Sequence, residues 1–256
     1  MERAFALSCG ELRIPCKLTQ PDSGEIRRVV LGVHGIGGST GDAIQTGIAE
    51  EMEMFYSAVL RFDFPAHGES TCRELTLQGC EDSLLTAAGY LMEQYPQIGE
   101  LCIFATGFGA YVTLICLDRL LKLTENIRLV VQTPSVRIHE TLLRMLQVSA
   151  PTLKAMDRAT LRAPKPFDIT YSFYEELLAN IALTAYPIPM LILQGEEDDF
   201  IRLSDIQQFR RINEGAKLVI LPEISHRFEE EGAWDMVLDL TRDWFECEQV
   251  LVTDWE

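Results

Sequence analysis

The chain has 256 residues, of which 47% are hydrophobic and 24% charged, the profile of an ordinary globular protein able to bury a sizeable core. Its formal net charge is −17, with a pI near 4.6. That balance argues against nucleic acid and anionic membrane surfaces as partners, both being polyanions, and is otherwise accounted for by solubility alone.

The first ten residues, MERAFALSCG, lack a basic segment followed by an apolar run of about 7–15 residues, so no secretory leader is expected. No apolar stretch reaches the ~18 residues of a membrane span, and the chain is expected to be cytoplasmic. Residues 11–19 read as an antiparallel edge strand. From residue 27 onward, short apolar runs alternate with longer helical patterns. The runs are 27–33, 58–62, 101–105, 127–132, 190–194 and 217–221, each nearly continuous in Val, Ile, Leu or Phe. Strands covered on both faces read this way, which points to a mostly parallel sheet. The helical patterns are 40–54, 76–95, 108–121, 204–213 and 231–246. Strand–helix alternation of this kind predicts a doubly wound α/β domain spanning residues 1–256. One connection is too long for a simple crossover: 136–186 holds several short helical patterns and prolines, and is expected to be a helical lid over one end of the sheet.

In open α/β sheets ligands bind beyond the carboxyl ends of the strands, so the informative residues are those that follow the apolar runs. After the first comes His34-Gly35-Ile36-Gly37-Gly38, whose glycines allow a sharp turn that aims backbone N–H groups into a cleft. Such a loop could equally cradle phosphate, but neither a P-loop nor a G-x-G-x-x-G occurs here. His34 reads as a packed, loop-orienting residue. After the second run, Asp63, His67 and Gly68 read as a turn held by side-chain–backbone hydrogen bonds. After the third, Ala105-Thr106-Gly107-Phe108-Gly109 leads straight into a helix, the strand–turn–helix setting of a nucleophile elbow.

These three segments, in this order, resemble the α/β-hydrolase superfamily. The similarity is closest to small carboxylesterases with a compact helical lid, such as cinnamoyl (feruloyl) esterases and monoacylglycerol-lipase-like enzymes. Laid over G-x-S-x-G, the elbow puts Gly107 where the attacking serine stands. The resemblance extends to Gly195-Glu196-Glu197-Asp198, which matches the strand-end acid, and to the loop carrying His226. It implies a catalytic trio at Gly107, Asp198 and His226, an oxyanion hole from the N–H groups of Ile36 and Phe108, no cofactor, and a small acyl ester or related ligand as partner. Asp199 competes with Asp198, but the Gly-x-x-Asp spacing favours Asp198. The acidic run 196–199 lacks further ligands at metal-binding spacing and reads as a turn, so no metal is expected.

Glycine has no side chain with which to attack, so an acyl-enzyme cannot form at residue 107. Three readings stay open: an esterase-type hydrolase whose serine chemistry is absent or very weak, a small-ligand-binding pseudoenzyme, and catalysis by the His226–Asp198 pair without a protein nucleophile. Thr106 is adjacent, yet consecutive residues at a tight turn point different ways. The seven cysteines are scattered and read as a reduced set rather than a disulfide frame or zinc site. Tyr171, Phe173 and Tyr174 are spaced for core packing more than for a pocket wall. The apolar tail 250–255 is expected to dock somewhere, and oligomeric state is not legible.

Overall fold

The structure, a computed structural model, describes residues 1–247, so the tail 250–255 lies outside the described residues. Two strands open the chain, β1 (Glu2–Cys9) and β2 (Leu12–Thr19), joined at Gly10, whose φ of +56° closes the turn. There follow β3 (Arg28–Val33), α1 (Ala43–Met54), β4 (Ser57–Phe62), α2 (Leu77–Gln94), β5 (Glu100–Thr106), α3 (Gly107–Ile115), the short α4 (Leu117–Leu120) and β6 (Asn126–Gln132). The long connection carries α5 (Ile138–Leu146), α6 (Ala150–Met156), β7 (Arg158–Leu161), β8 (Phe167–Thr170) and α7 (Tyr171–Ala179). The chain then runs through β9 (Met190–Gly195), α8 (Leu203–Ile212), β10 (Ala216–Leu221) and α9 (Ala233–Glu246).

Eight strands form one sheet in the order β1-β2-β4-β3-β5-β6-β9-β10. From β4 to β10 every neighbouring pair is parallel, while β1–β2 and β2–β4 are antiparallel. This is the doubly wound, mostly parallel sheet expected from the apolar runs. Alternate strand residues feed two cores, as the two-residue period of a strand requires. Val29, Leu31 and Val33 of β3 face the larger core with α2, α3 and α8, while Val30 faces the smaller one with α1 and α9. Helix starts are fixed locally: Thr76, Ser149 and Thr170 each accept a backbone N–H from the first turn of α2, α6 and α7. Each such cap contributes about 1 kcal/mol.

Three expectations need correction. The strand over 11–19 is antiparallel but not at the edge: β1 pairs outside it. β1 has no apolar run because, at the sheet margin, none of its eight residues is fully buried, four being exposed and four half-buried, and such a strand needs none. The pattern 108–121 is broken at Cys116 (φ −90°, ψ 0°), which separates α3 from α4, and the helix begins one residue early, at Gly107. The insertion is not wholly helical, since β7 and β8 form a small antiparallel hairpin of four-residue strands. Strands so short carry too few residues to display a period.

Candidate active site

The loops after β3, β5, β9 and β10 converge at the carboxyl edge of the sheet, at the point where β4 and β5 leave β3 on opposite sides. Such a switch point opens a crevice. A cavity of about 490 Å³ lies there, lined among others by Ile36, Gly107, Phe108, Met145, Phe200 and His226.

The β3 loop is held from several directions. His34 is buried, and burial is the main cause of its lowered pKa. Its Nδ1–H donates to the Gly35 carbonyl at 2.7 Å, and its Nε2 accepts the Phe64 N–H at 3.1 Å. Those are the contacts of a neutral imidazole that fixes a loop. His67, also buried, donates from Nδ1 to the Pro65 carbonyl at 2.7 Å, and burial with the nearby His34 brings its pKa to about 3. Asp63 accepts the Thr40 N–H at 2.7 Å through one oxygen and the Glu69 N–H at 2.8 Å through the other. A Cβ at Gly68 (φ +46°) would overlap that carboxylate, so the 63–69 turn needs glycine there. Arg61, buried and paired with Glu2, donates to the Thr40 carbonyl at 2.8 Å and so anchors the same loop from below. That role left no mark in the sequence, because an arginine inside an apolar strand is silent about its partners.

At the end of β5, Gly107 opens α3 with φ +49°. A Cβ built there meets nothing closer than the Gly35 Cα at 3.9 Å, so the position has room for a side chain but a backbone that L residues rarely adopt. Two residues on, a Cβ at Gly109 would sit 2.4 Å from the His34 carbonyl oxygen. Phe108 packs its ring among Phe64, Tyr111 and Phe173, and its N–H, in the first turn, has no acceptor within the helix. Thr106 is extended (φ −114°, ψ 138°), with its hydroxyl beside Gly35. Burial raises the thiol pKa values of Cys102 and Cys116, the latter to about 12, which leaves both as inert packing groups.

Asp198 and His226 come together although 28 residues apart, with Nδ1 of His226 2.8 Å from Oδ2 of Asp198. The carboxylate side chain is 1% exposed and the imidazole 21%, so the histidine reaches the cavity and the acid stands behind it. Asp198 also accepts the N–H groups of Phe200 (2.9 Å) and Ile201 (2.7 Å) and the Gln194 amide (3.1 Å). Burial by itself would raise its pKa, but the hydrogen bond and charge of His226, with the Ile201 and Gln194 donors, hold it below the usual value. An ionised Asp198 fixes the proton on Nδ1, leaving Nε2 as the basic nitrogen. The sequence pointed to the pair but not to Gln194, nor to Phe200, whose ring lies edge-on to the imidazole at 5.1 Å. Glu230 shapes the same loop by accepting the Ser225 N–H at 2.9 Å. Asp199 makes no comparable contact with His226. Phe173 and Tyr174 are buried in packing, and neither they nor Tyr171 line the cavity. No group of three metal-ligating side chains occurs among the described residues.

Because the folded-state pKa of Asp198 is depressed, its ionisation contributes stability above the unfolded value of about 3.9, lost as pH falls through the folded value. Asp198→Asn should therefore flatten the acid limb of a thermal-melting profile recorded below pH 5. Parallel limbs for the two proteins would mean that the carboxylate gains nothing from its partners.

No protein-family model matches the sequence, and no curated protein matches it. Solved structures do match closely in shape. Est1E from Butyrivibrio proteoclasticus, with ferulic acid bound, superposes with a TM-score of 0.80 at 16% identity, covering 94% of this chain and 98% of its own. Alpha/beta hydrolase domain-containing protein 10 from mouse gives 0.72 at 15% identity over 95% and 98%. The esterase domain of a Rhodothermus marinus protein gives 0.71 at 17% identity over 95% and 97%. With its strand order, its crevice at the carboxyl edge and these matches, the chain has the α/β-hydrolase fold.

Proposed function

We propose that the chain is a serine-carboxylesterase-type hydrolase by design whose attacking hydroxyl is missing, and that it binds a small acyl ester or the corresponding acid without forming an acyl-enzyme. The observation that carries this reading is the His226–Asp198 pair, hydrogen-bonded at 2.8 Å and opening onto the cavity that Gly107 lines. A base held in the right tautomer has little structural use at a cavity wall, and its retention beside an elbow with space at residue 107 fits a ligand site. In this reading the N–H groups of Ile36 and Phe108 receive the negative end of the ligand. Segment 136–186 is the lid: its Ala163 lies against Gly37 of the oxyanion loop, 3.0 Å from a Cβ built there. Ferulic acid in the Est1E structure supports an aromatic or short aliphatic acid as the ligand class. Cys16, Cys80, Cys102 and Cys116, all buried thiols, suit a reducing cytoplasm.

A fluorophosphonate probe separates the readings. The chain itself should stay unlabelled, while Gly107→Ser should label, and His226→Ala in that variant should abolish labelling. A folded Gly107→Ser that remains inert would overturn the hydrolase-pocket reading. The second reading, catalysis by His226 and Asp198 on a bound water, is favoured by the same pair and by the open space at residue 107. It requires His226-dependent ester turnover by the unmodified chain without labelling.

A further inference from the structure

A larger cavity, of about 890 Å³, lies on the far side of the lid strap from the candidate active site. The two share no lining residue: Leu161 to Pro164 border the Gly107 cavity, and Lys165 to Asp168 border this one. We propose that this cleft is a second ligand site, for an organic carboxylate with an apolar body.

Its shape and chemistry are those of a small-molecule site, an apolar floor with a few convergent polar groups, in the usual size range of about 300–1,000 Å³. Ala66, Leu75 and Phe167 form a buried floor, and the Phe167 ring is held by His67 at 4.5 Å between centroids. Above it stand Arg73, Arg158 and Lys165. The Lys165 ammonium donates to the carbonyls of Gly68 and Ser70, both at 2.9 Å, which fixes its place without neutralising it. No carboxylate pairs with it among the described residues. Arg73 is exposed and has neither an ion pair nor a hydrogen bond among the described residues. Of the two rim acids, Asp168 is engaged by the Thr160 hydroxyl at 2.7 Å and lies 3.8 Å from Arg158, leaving Glu74 as the single uncommitted one. In a chain of net charge −17, a cleft lined by three cations and only two acids marks a local reversal of sign. Ser70 adds the independent observation. It is 5% exposed, it lines the cleft, and its hydroxyl has no hydrogen-bond partner. Buried polar groups are normally satisfied, and since the Ser70 oxygen is closed off from solvent, rotation of its side chain toward the cleft is the step that would bring the hydroxyl to a carboxylate oxygen whose charge meets Arg73 and Lys165.

The test is an amide NMR titration of the full chain with 1-naphthoate and, separately, with its neutral isostere 1-naphthalenemethanol. Naphthoate should shift amides in 66–75 and 158–170 saturably, and the alcohol should bind at least about tenfold more weakly, as loss of charge-assisted hydrogen bonds implies. Arg73→Gln, at an exposed residue that no fold contact uses, should weaken naphthoate about fivefold to tenfold and leave the alcohol unchanged. Ser70→Ala should weaken the acid further. Equal affinity for acid and alcohol, or no saturable shift with either, would overturn the proposal. So would shifts confined to residues 35–38, 107–108 and 226, a result that would instead support the ligand site proposed around Gly107. Labelling of Gly107→Ser is unaffected by any of these outcomes, so the two readings stand or fall separately.

Discussion

Gly107→Ser is expected to raise kcat/KM on short-chain p-nitrophenyl esters by about 10³-fold or more, with the gain lost again in Gly107→Ser/His226→Ala. The size follows from how triads behave: their members act as a unit, and removal of the nucleophile leaves only the residual acceleration of oxyanion donors and binding. Here His226 and Asp198 are already hydrogen-bonded, so on the proposed reading a serine hydroxyl would complete the unit. Space favours it, since the nearest atom to a Cβ at residue 107 is 3.9 Å away. The backbone does not, because φ is +49°, and a serine there should cost about 1–3 kcal/mol of stability. A gain in activity accompanied by a lower melting temperature is thus the expected pair of results. An active variant that stays active without His226 would show that Asp198 and His226 are not its base.

Gly109→Ala should be the most destabilising single methyl in the elbow, by about 3 kcal/mol or more, the upper end for overpacking. Its Cβ would lie 2.4 Å from the His34 carbonyl oxygen, 2.8 Å from that of Val33 and 2.9 Å from the Val33 side chain. Two of those atoms are backbone of β3 and its loop, which cannot yield without parting α3 from the sheet. Gly107→Ala is the control: it carries the same added methyl into open space and incurs only the strain of a positive φ. Urea denaturation of both variants checks the difference. Equal losses would mean that close helix–strand packing does not determine the glycine at residue 109.

The elements most legible in the sequence were those buried on both faces. The runs 27–33, 58–62, 101–105, 127–132 and 190–194 had to be apolar at almost every position, which no solvent-facing strand requires; the run 217–221 is apolar although its strand, β10, lies at the sheet margin with Ile220 exposed. β1 escaped notice for the opposite reason, and so did the β7–β8 hairpin, whose strands are too short to show a period. The elbow was legible because a tight strand-to-helix turn demands small residues at fixed spacing, and Gly109 meets that demand whatever stands at residue 107. His226 and Asp198 were legible as residues that follow strands.

Sequence by itself determined the parallel core, the order of loops at its carboxyl edge, and the absence of any side chain at Gly107. Those follow from local rules: apolar continuity, turn chemistry and the bare chemistry of glycine. Only the tertiary structure decided which groups meet. It brought Nδ1 of His226 to Asp198, set Gln194 and the Ile201 N–H on the same carboxylate, and fixed His34 and His67 as neutral, buried supports. It also placed Arg61 under the Thr40 carbonyl and set Ser70 beside Lys165 in a cleft of its own. Hydrogen-bond partners and burial depend on residues far apart in the chain, and the closure of such long loops leaves no local pattern to read.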